Sequence, residues 1–120
     1  MKLAVTSQGP GIDSPVDPRF GRAKYFLLID TDSGQPETVD NSQLLNAAQG
    51  AGIQAGKKIC DLGAEALVTG HIGPNAFSTL HAGQVKVYTG ASGTVAEAVE
   101  QFRAGKLDLV ESPDVEGHWV

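Results

Sequence analysis

The stretch Leu67-Val-Thr-Gly-His-Ile-Gly-Pro-Asn-Ala76 decides the fold. It begins as a short apolar run with the character of a buried strand. It breaks at Gly70 and restarts as a helix, with Pro74 near the first helical position, where a missing N–H costs nothing. This is a strand–loop–helix junction. Its polar loop of Gly70, His71 and Gly73 faces the positive end of a helix dipole, which suits an anion.

The same pattern recurs twice. Val5-Thr-Ser-Gln-Gly9 ends the first apolar run, and Val87-Tyr-Thr-Gly-Ala-Ser-Gly93 ends another. Each run closes on Thr and opens into a small, Gly-containing loop. In a parallel α/β sheet, ligands bind beyond the carboxyl ends of the strands. Three such strands lying side by side bring the three loops to one rim. That rim of Ser7, Gln8, Gly9, Gly70, Gly73, Ser92 and Gly93 would supply backbone N–H groups and small hydroxyls, which suit sulfide or oxyanion acceptors.

Outward from these junctions, the pattern predicts strands over 2–7, 25–29, 37–41, 66–69 and 85–88. Asp32-Ser-Gly34 signals a hairpin turn between the second and third. Helices are predicted from Gly50-Ala-Gly-Ile53 to about Leu62, from Pro74 to about His81, and from Val95 to about Gly105. Residues 42–50 read as loop or as a frayed helix start. Ala51, Ala55, Ile59 and Leu62 hold helical spacing as core positions, while Gly52 and Gly56 thin another face for close backbone approach. Thr94-Val-Ala-Glu97 is a capping box. The order is β-β-β-α-β-α-β-α, with the first, fourth and fifth strands parallel neighbours and the second antiparallel to the first. Residues 1–105 form the expected domain, and 106–120 read as a tail with few apolar residues.

The length of 120 residues fits one domain. A net charge of −5 argues against nonspecific nucleic-acid binding. No run is long enough to span a membrane and no signal peptide opens the chain, so the expected location is the cytoplasm. The single cysteine permits neither an internal disulfide nor a cysteine-only metal site.

Residues 8–23 hold Pro10, Pro15 and Pro18 and end in Arg19-Phe-Gly-Arg22, which predicts a shaped loop rather than a helix. Arg19 and Arg22 have two readings. They hold a polyanion through charge-assisted hydrogen bonds, or they pair with Asp13, Asp17 or Asp30 at the surface. His71 could ligate a metal, donate to an anion or cap its helix. Asn75 could donate to a ligand or fix the turn through its own backbone. Cys60, late in a helix and next to Ile59, reads as a small buried hydrophobe. His81 and His118 have no partner at metal-ligand spacing.

Taken together, Asp17-Pro-Arg-Phe-Gly-Arg22 before Tyr25-Phe26, the Gly50-Ala-Gly-Ile53 helix start, and Thr69-Gly-His-Ile-Gly-Pro-Asn-Ala-Phe77 before Val85-Lys-Val-Tyr88 carry a resemblance. The chain resembles the dinitrogenase iron–molybdenum cofactor biosynthesis family, small carriers of cofactor precursors and their relatives outside nitrogen fixation. Within it, the chain is similar to the orange-protein branch of anaerobes. The resemblance implies a ribonuclease-H-like three-layer α/β fold with a five-stranded mixed sheet. It implies a non-covalently held molybdenum–copper sulfide cluster, or an iron–molybdenum–sulfur precursor, as cargo. Ser7, Gln8, Arg19, Arg22, Gly50, Gly52, Gly70, His71, Gly73, Asn75 and Ser92 would face that cargo. An acceptor or ATPase partner protein and a monomer or weak dimer are also expected. Where many relatives carry a histidine at the glycine-rich helix start, this chain has Gln49.

An enzyme is the less favoured expectation. A metal-dependent nuclease needs converging carboxylates, and the first and fourth strands carry none. No Walker A sequence or complete Gly-x-Gly-x-x-Gly fingerprint is present. The other alternative is an adaptor that binds a small anion, or a partner along the edge strand 37–41.

Overall fold

The computed structural model describes residues 1–41 and 51–111, without the side chain of Ala51. The readings made for residues 42–50, including Gln49 and Gly50, and for His118 lie outside the described residues.

Alternation along each strand builds the fold. On β1 (Lys2–Ser7), Leu3 and Val5 face one side and Ala4 the other. On β2 (Tyr25–Asp30), Leu27 and Ile29 face the first side, and Phe26 and Leu28 the second. On β4 (Ala66–Val68), Ala66 and Val68 oppose Leu67. All of these are buried, so both faces of the sheet must be covered. Helix α3 (Val95–Arg103) covers one face with Val95, Ala98 and Val99. Helices α1 (Ala51–Asp61) and α2 (Pro74–Ala82) cover the other with Ala55, Ile59, Ala76, Phe77 and Leu80. The result is a three-layer α/β arrangement.

The sheet also contains β3 (Pro36–Asp40), β5 (Lys86–Thr89) and β6 (Asp108–Val110), in the order β3-β2-β1-β4-β5-β6. Strands β1, β4 and β5 are parallel neighbours and β2 is antiparallel to β1, as the connection rules require. The expected count of five strands is corrected to six. The sixth comes from the stretch read as a tail: β6 pairs antiparallel with β5, Val110 opposite Val87. Three residues with Leu109 exposed leave too weak a pattern to announce a strand. No helix among the described residues is long and apolar enough to cross a membrane.

The β2–β3 hairpin turns at Gly34, in the left-handed region at φ 75°. The N–H groups of Asp32 and then Ser33 hydrogen-bond the Asp30 carboxylate and hold it below its ordinary acid range. None of this touches the rim, which is formed by the opposite ends of β1, β4 and β5.

Candidate functional site

The rim is assembled by one long loop folded over three strand ends. Gln8 N donates to Pro15 O, Asp17 N to Thr6 O, and Val16 N to Gly93 O. Residues 8–18 are therefore tied to β1 and to the β5–α3 loop. A short 3₁₀ turn, Phe20–Arg22, follows, with Phe20 buried and stacked on Phe26 at 5.7 Å.

This loop joins the decisive junction backbone to backbone. His71 N donates to Pro18 O at 2.7 Å and Phe20 N to His71 O at 3.4 Å, so Arg19 and His71 form a parallel bridge. Glycine is required at 70 because a Cβ there would meet the Cα and O of Pro18 at 2.7 Å. The 3₁₀ turn also packs against the first turn of α1: a Cβ on Gly21 would lie 3.6 Å from the backbone of Gly52. Gly52 in turn approaches Ala76 in the first turn of α2, where a Cβ would come within 3.3 Å of the alanine Cβ. The Arg19–Arg22 segment, the start of α1 and the start of α2 thus meet at one place.

The residues gathered there can bind an anion. Gly73 is the N-cap of α2 and offers no side-chain cap, Pro74 follows, and the position of a Gly73 Cβ is open space. Among the described residues no partner takes the first N–H groups of α2 beyond Pro74, so they are available to solvent or a ligand. Arg19, Arg22, His71 and Asn75 are all exposed. Among the described residues no carboxylate pairs with either guanidinium. The surface pairing with Asp13, Asp17 or Asp30 is not formed. Asp17 instead accepts from the backbone N–H of Arg19.

The remaining expected site residues are engaged elsewhere. The Ser7 hydroxyl donates to Gly9 O and accepts from Gly9 N, and the Gln8 amide donates to Val16 O. Both hold the loop. The backbone N and O of Ser92 are taken by the Gln101 side chain. The start of α3 is closed: Val95 N donates to Ser14 O, Ala96 N to Ile12 O, and Glu97 N to the Thr94 hydroxyl in a complete capping box. Among the described residues, the helix start after β5 is closed and the N–H groups that open the helix after β4 are not.

Three residues that sequence reasoning did not assign to the site hold it together. Thr6 and Thr69, fully buried strand ends, are linked hydroxyl to hydroxyl at 2.9 Å, and Asp17 hangs from Thr6. The recurrent Thr at each strand end was the available signal. Among the described residues no three His, Cys, Asp or Glu side chains gather to hold a metal ion. Cys60 lies at the far ends of α1 and α2 under Gly83, and its Sγ donates weakly to Thr79 O. Burial, then the charge of Asp61, pushes its thiol up from the ordinary value. A separate groove of about 640 Å³ runs beside the end of α2, lined by Phe77, His81, Val85, Val87, Leu109 and Val110 among others.

Comparison with known proteins agrees with this arrangement. The chain is similar to the apo form of the orange protein from Desulfovibrio gigas, 41% identical, with a TM-score of 0.90 over 94% of this chain and 95% of that one. A Thermotoga protein assigned to the DUF35 family and solved by NMR is 39% identical, with a TM-score of 0.83 over 97% and 98%. An uncharacterized protein of Methanocaldococcus jannaschii is 27% identical over 114 residues, 92% of each chain. The family model described as dinitrogenase iron-molybdenum cofactor matches residues 1–105. The chain belongs to the dinitrogenase iron–molybdenum cofactor family.

Proposed function

We propose that this chain is a non-enzymatic carrier of an anionic metal–sulfur cluster, held non-covalently where α1 and α2 begin. The observation behind this is the pairing of two exposed guanidinium groups, free of carboxylates among the described residues, with the uncapped start of α2. A sulfide cluster brings its own ligands. The protein then needs to supply positive charge, N–H donors and shape, and Arg19, Arg22 and the α2 start supply them. The single cysteine, remote and with a raised thiol pKa, is unsuited to be a ligand there.

The family and the similarity to the orange protein support a cofactor- or cluster-binding role. The cargo proposed is a molybdenum–copper sulfide cluster. The test is to incubate the apo protein with tetrathiomolybdate and a copper salt, desalt it, and record the visible spectrum and metal content. Co-eluting colour with a fixed molybdenum-to-copper ratio is expected. A colourless, metal-free protein overturns the molybdenum–copper assignment and turns attention to an iron–molybdenum–sulfur precursor.

The groove beside α2, with Leu109 exposed on its edge strand, favours a second reading as an adaptor for a partner protein. Under that reading Leu109→Asp would abolish partner capture and leave metal retention unchanged.

A further inference from the structure

We propose that Asp17 is a positioning residue that fixes Arg19 at the rim. What Arg19 does there rests on the carrier reading; how it is held does not.

Asp17 is 7% exposed, and among the described residues no cation pairs with it. A buried carboxylate is costly unless hydrogen-bonded. Its Oδ1 accepts from the backbone N–H of Arg19 at 3.0 Å, an Asx turn that fixes the arginine's backbone and leaves the guanidinium uncommitted. The Asp17 backbone is clamped on both sides. Its N–H donates to Thr6 O at 3.0 Å and its carbonyl accepts from the Thr6 hydroxyl at 2.7 Å.

Proton counting orients the clamp. A carbonyl cannot donate, so the one hydroxyl proton of Thr6 goes to Asp17 O. The 2.9 Å contact between Thr6 and Thr69 must then be a bond donated by Thr69. The chain Thr69 to Thr6 to Asp17 is buried and has one direction. The next residue, Pro18, accepts from His71 N, and its backbone lies where a side chain on Gly70 would collide. Residues 17, 18 and 19 are thus each held by a different device: a hydroxyl relay, a close approach on glycine, and a carboxylate-to-backbone bond. Only the last bears on Arg19 alone. An ion pair between Asp17 and Arg19 would have neutralised the cation the site needs. Using the carboxylate on the backbone keeps it.

The test compares Asp17→Ala and Asp17→Asn, each with and without Arg19→Ala. The first readout needs no cargo: hydrogen exchange of backbone amides followed by NMR. Asp17→Ala should speed exchange at the Arg19 amide roughly tenfold or more, the size of one lost bond to a charged acceptor, while Val5 stays protected. Asp17→Asn keeps an acceptor and should restore most of the protection. The second readout is retention of molybdenum after loading with tetrathiomolybdate and copper. It should fall in Asp17→Ala, return in Asp17→Asn, and fall no further where Arg19→Ala is already present. Asp17→Cys, close in volume and a poor acceptor, replaces the alanine variant should that one not fold. Unchanged exchange at Arg19 overturns the inference. So does an equal loss of retention in the Arg19→Ala background. A wild-type protein that retains no metal overturns the carrier reading instead, and the exchange readout still decides the role of Asp17.

Discussion

Two junctions of this chain share one sequence pattern and differ in what they leave exposed. Thr69-Gly70 leads from β4 into α2, and Thr89-Gly90 leads from β5 into α3. At the second, the capping box and the carbonyls of Ile12 and Ser14 take the first N–H groups of the helix. At the first, the N-cap is a glycine, Pro74 brings no N–H, and the space over Gly73 is open. A helix start has charge to offer only where the chain has not already spent it. The loop of residues 8–23 makes the distinction: its first half seals α3, and its second half brings Arg19 and Arg22 to the open side.

The strongest way to break this contrast is Gly70→Ala. The added Cβ would sit 2.7 Å from Pro18 Cα and O, backbone atoms that cannot rotate away. The loop must lift, breaking the Pro18–His71 and Phe20–His71 bonds. We expect a loss of about 1–3 kcal/mol of stability, as for other overpacked sites, in denaturant unfolding. Metal retention should be lost with it. A variant of unchanged stability and full retention would show that the close approach does not hold the site.

Next in size come Arg19→Ala and Arg22→Ala. Neither guanidinium has an acidic partner among the described residues, so stability should move by no more than about 0.5 kcal/mol. Retention of the proposed cargo should weaken about tenfold for each, the worth of one charge-assisted hydrogen bond. Raising the salt concentration should narrow the gap between wild type and variants, since exposed charges are screened. A gap independent of salt would argue that the arginines act by shape rather than charge.

How much of this was written in the sequence depends on the range of the interaction. Short uninterrupted apolar runs gave β1, β2 and β4 as buried strands. Pro74 gave the start of α2, and Thr94 with Glu97 gave the cap of α3, because each signal lies within a few residues of what it causes. The loop of residues 8–23 was legible only as a shaped segment. Its shape comes from Val16 on Gly93 and Pro18 on His71, contacts between distant positions that no local pattern encodes. For that reason the three Thr-Gly loops read as equivalent, and Ser92 was grouped with the open rim although it faces the sealed junction. In the sequence Asp17 read only as one of three carboxylates, with Asp13 and Asp30, that Arg19 and Arg22 would pair with if they did not hold a polyanion. Burial and the geometry of the turn give it the backbone N–H instead. Strand β6 was missed because three residues with one exposed leucine carry too little periodicity to register.

The sealed junction offers the smaller effects, and they sharpen the contrast by their absence at the open one. Thr94→Ala removes the acceptor of Glu97 N and should cost about 1 kcal/mol, read as a lower denaturant midpoint with an unchanged slope. Because Ser14 and Ile12 still cover the neighbouring N–H groups, the helix start stays closed and retention should not change. Ser92→Ala should do less still. The Gln101 amide bonds the backbone N and O of Ser92, which the substitution keeps, and no partner of its hydroxyl is seen among the described residues. Stability within about 0.5 kcal/mol of wild type and full metal retention are expected. Should Ser92→Ala release metal while leaving stability alone, the cargo would reach across to the α3 side, and the division of the rim into an open and a sealed half would fail.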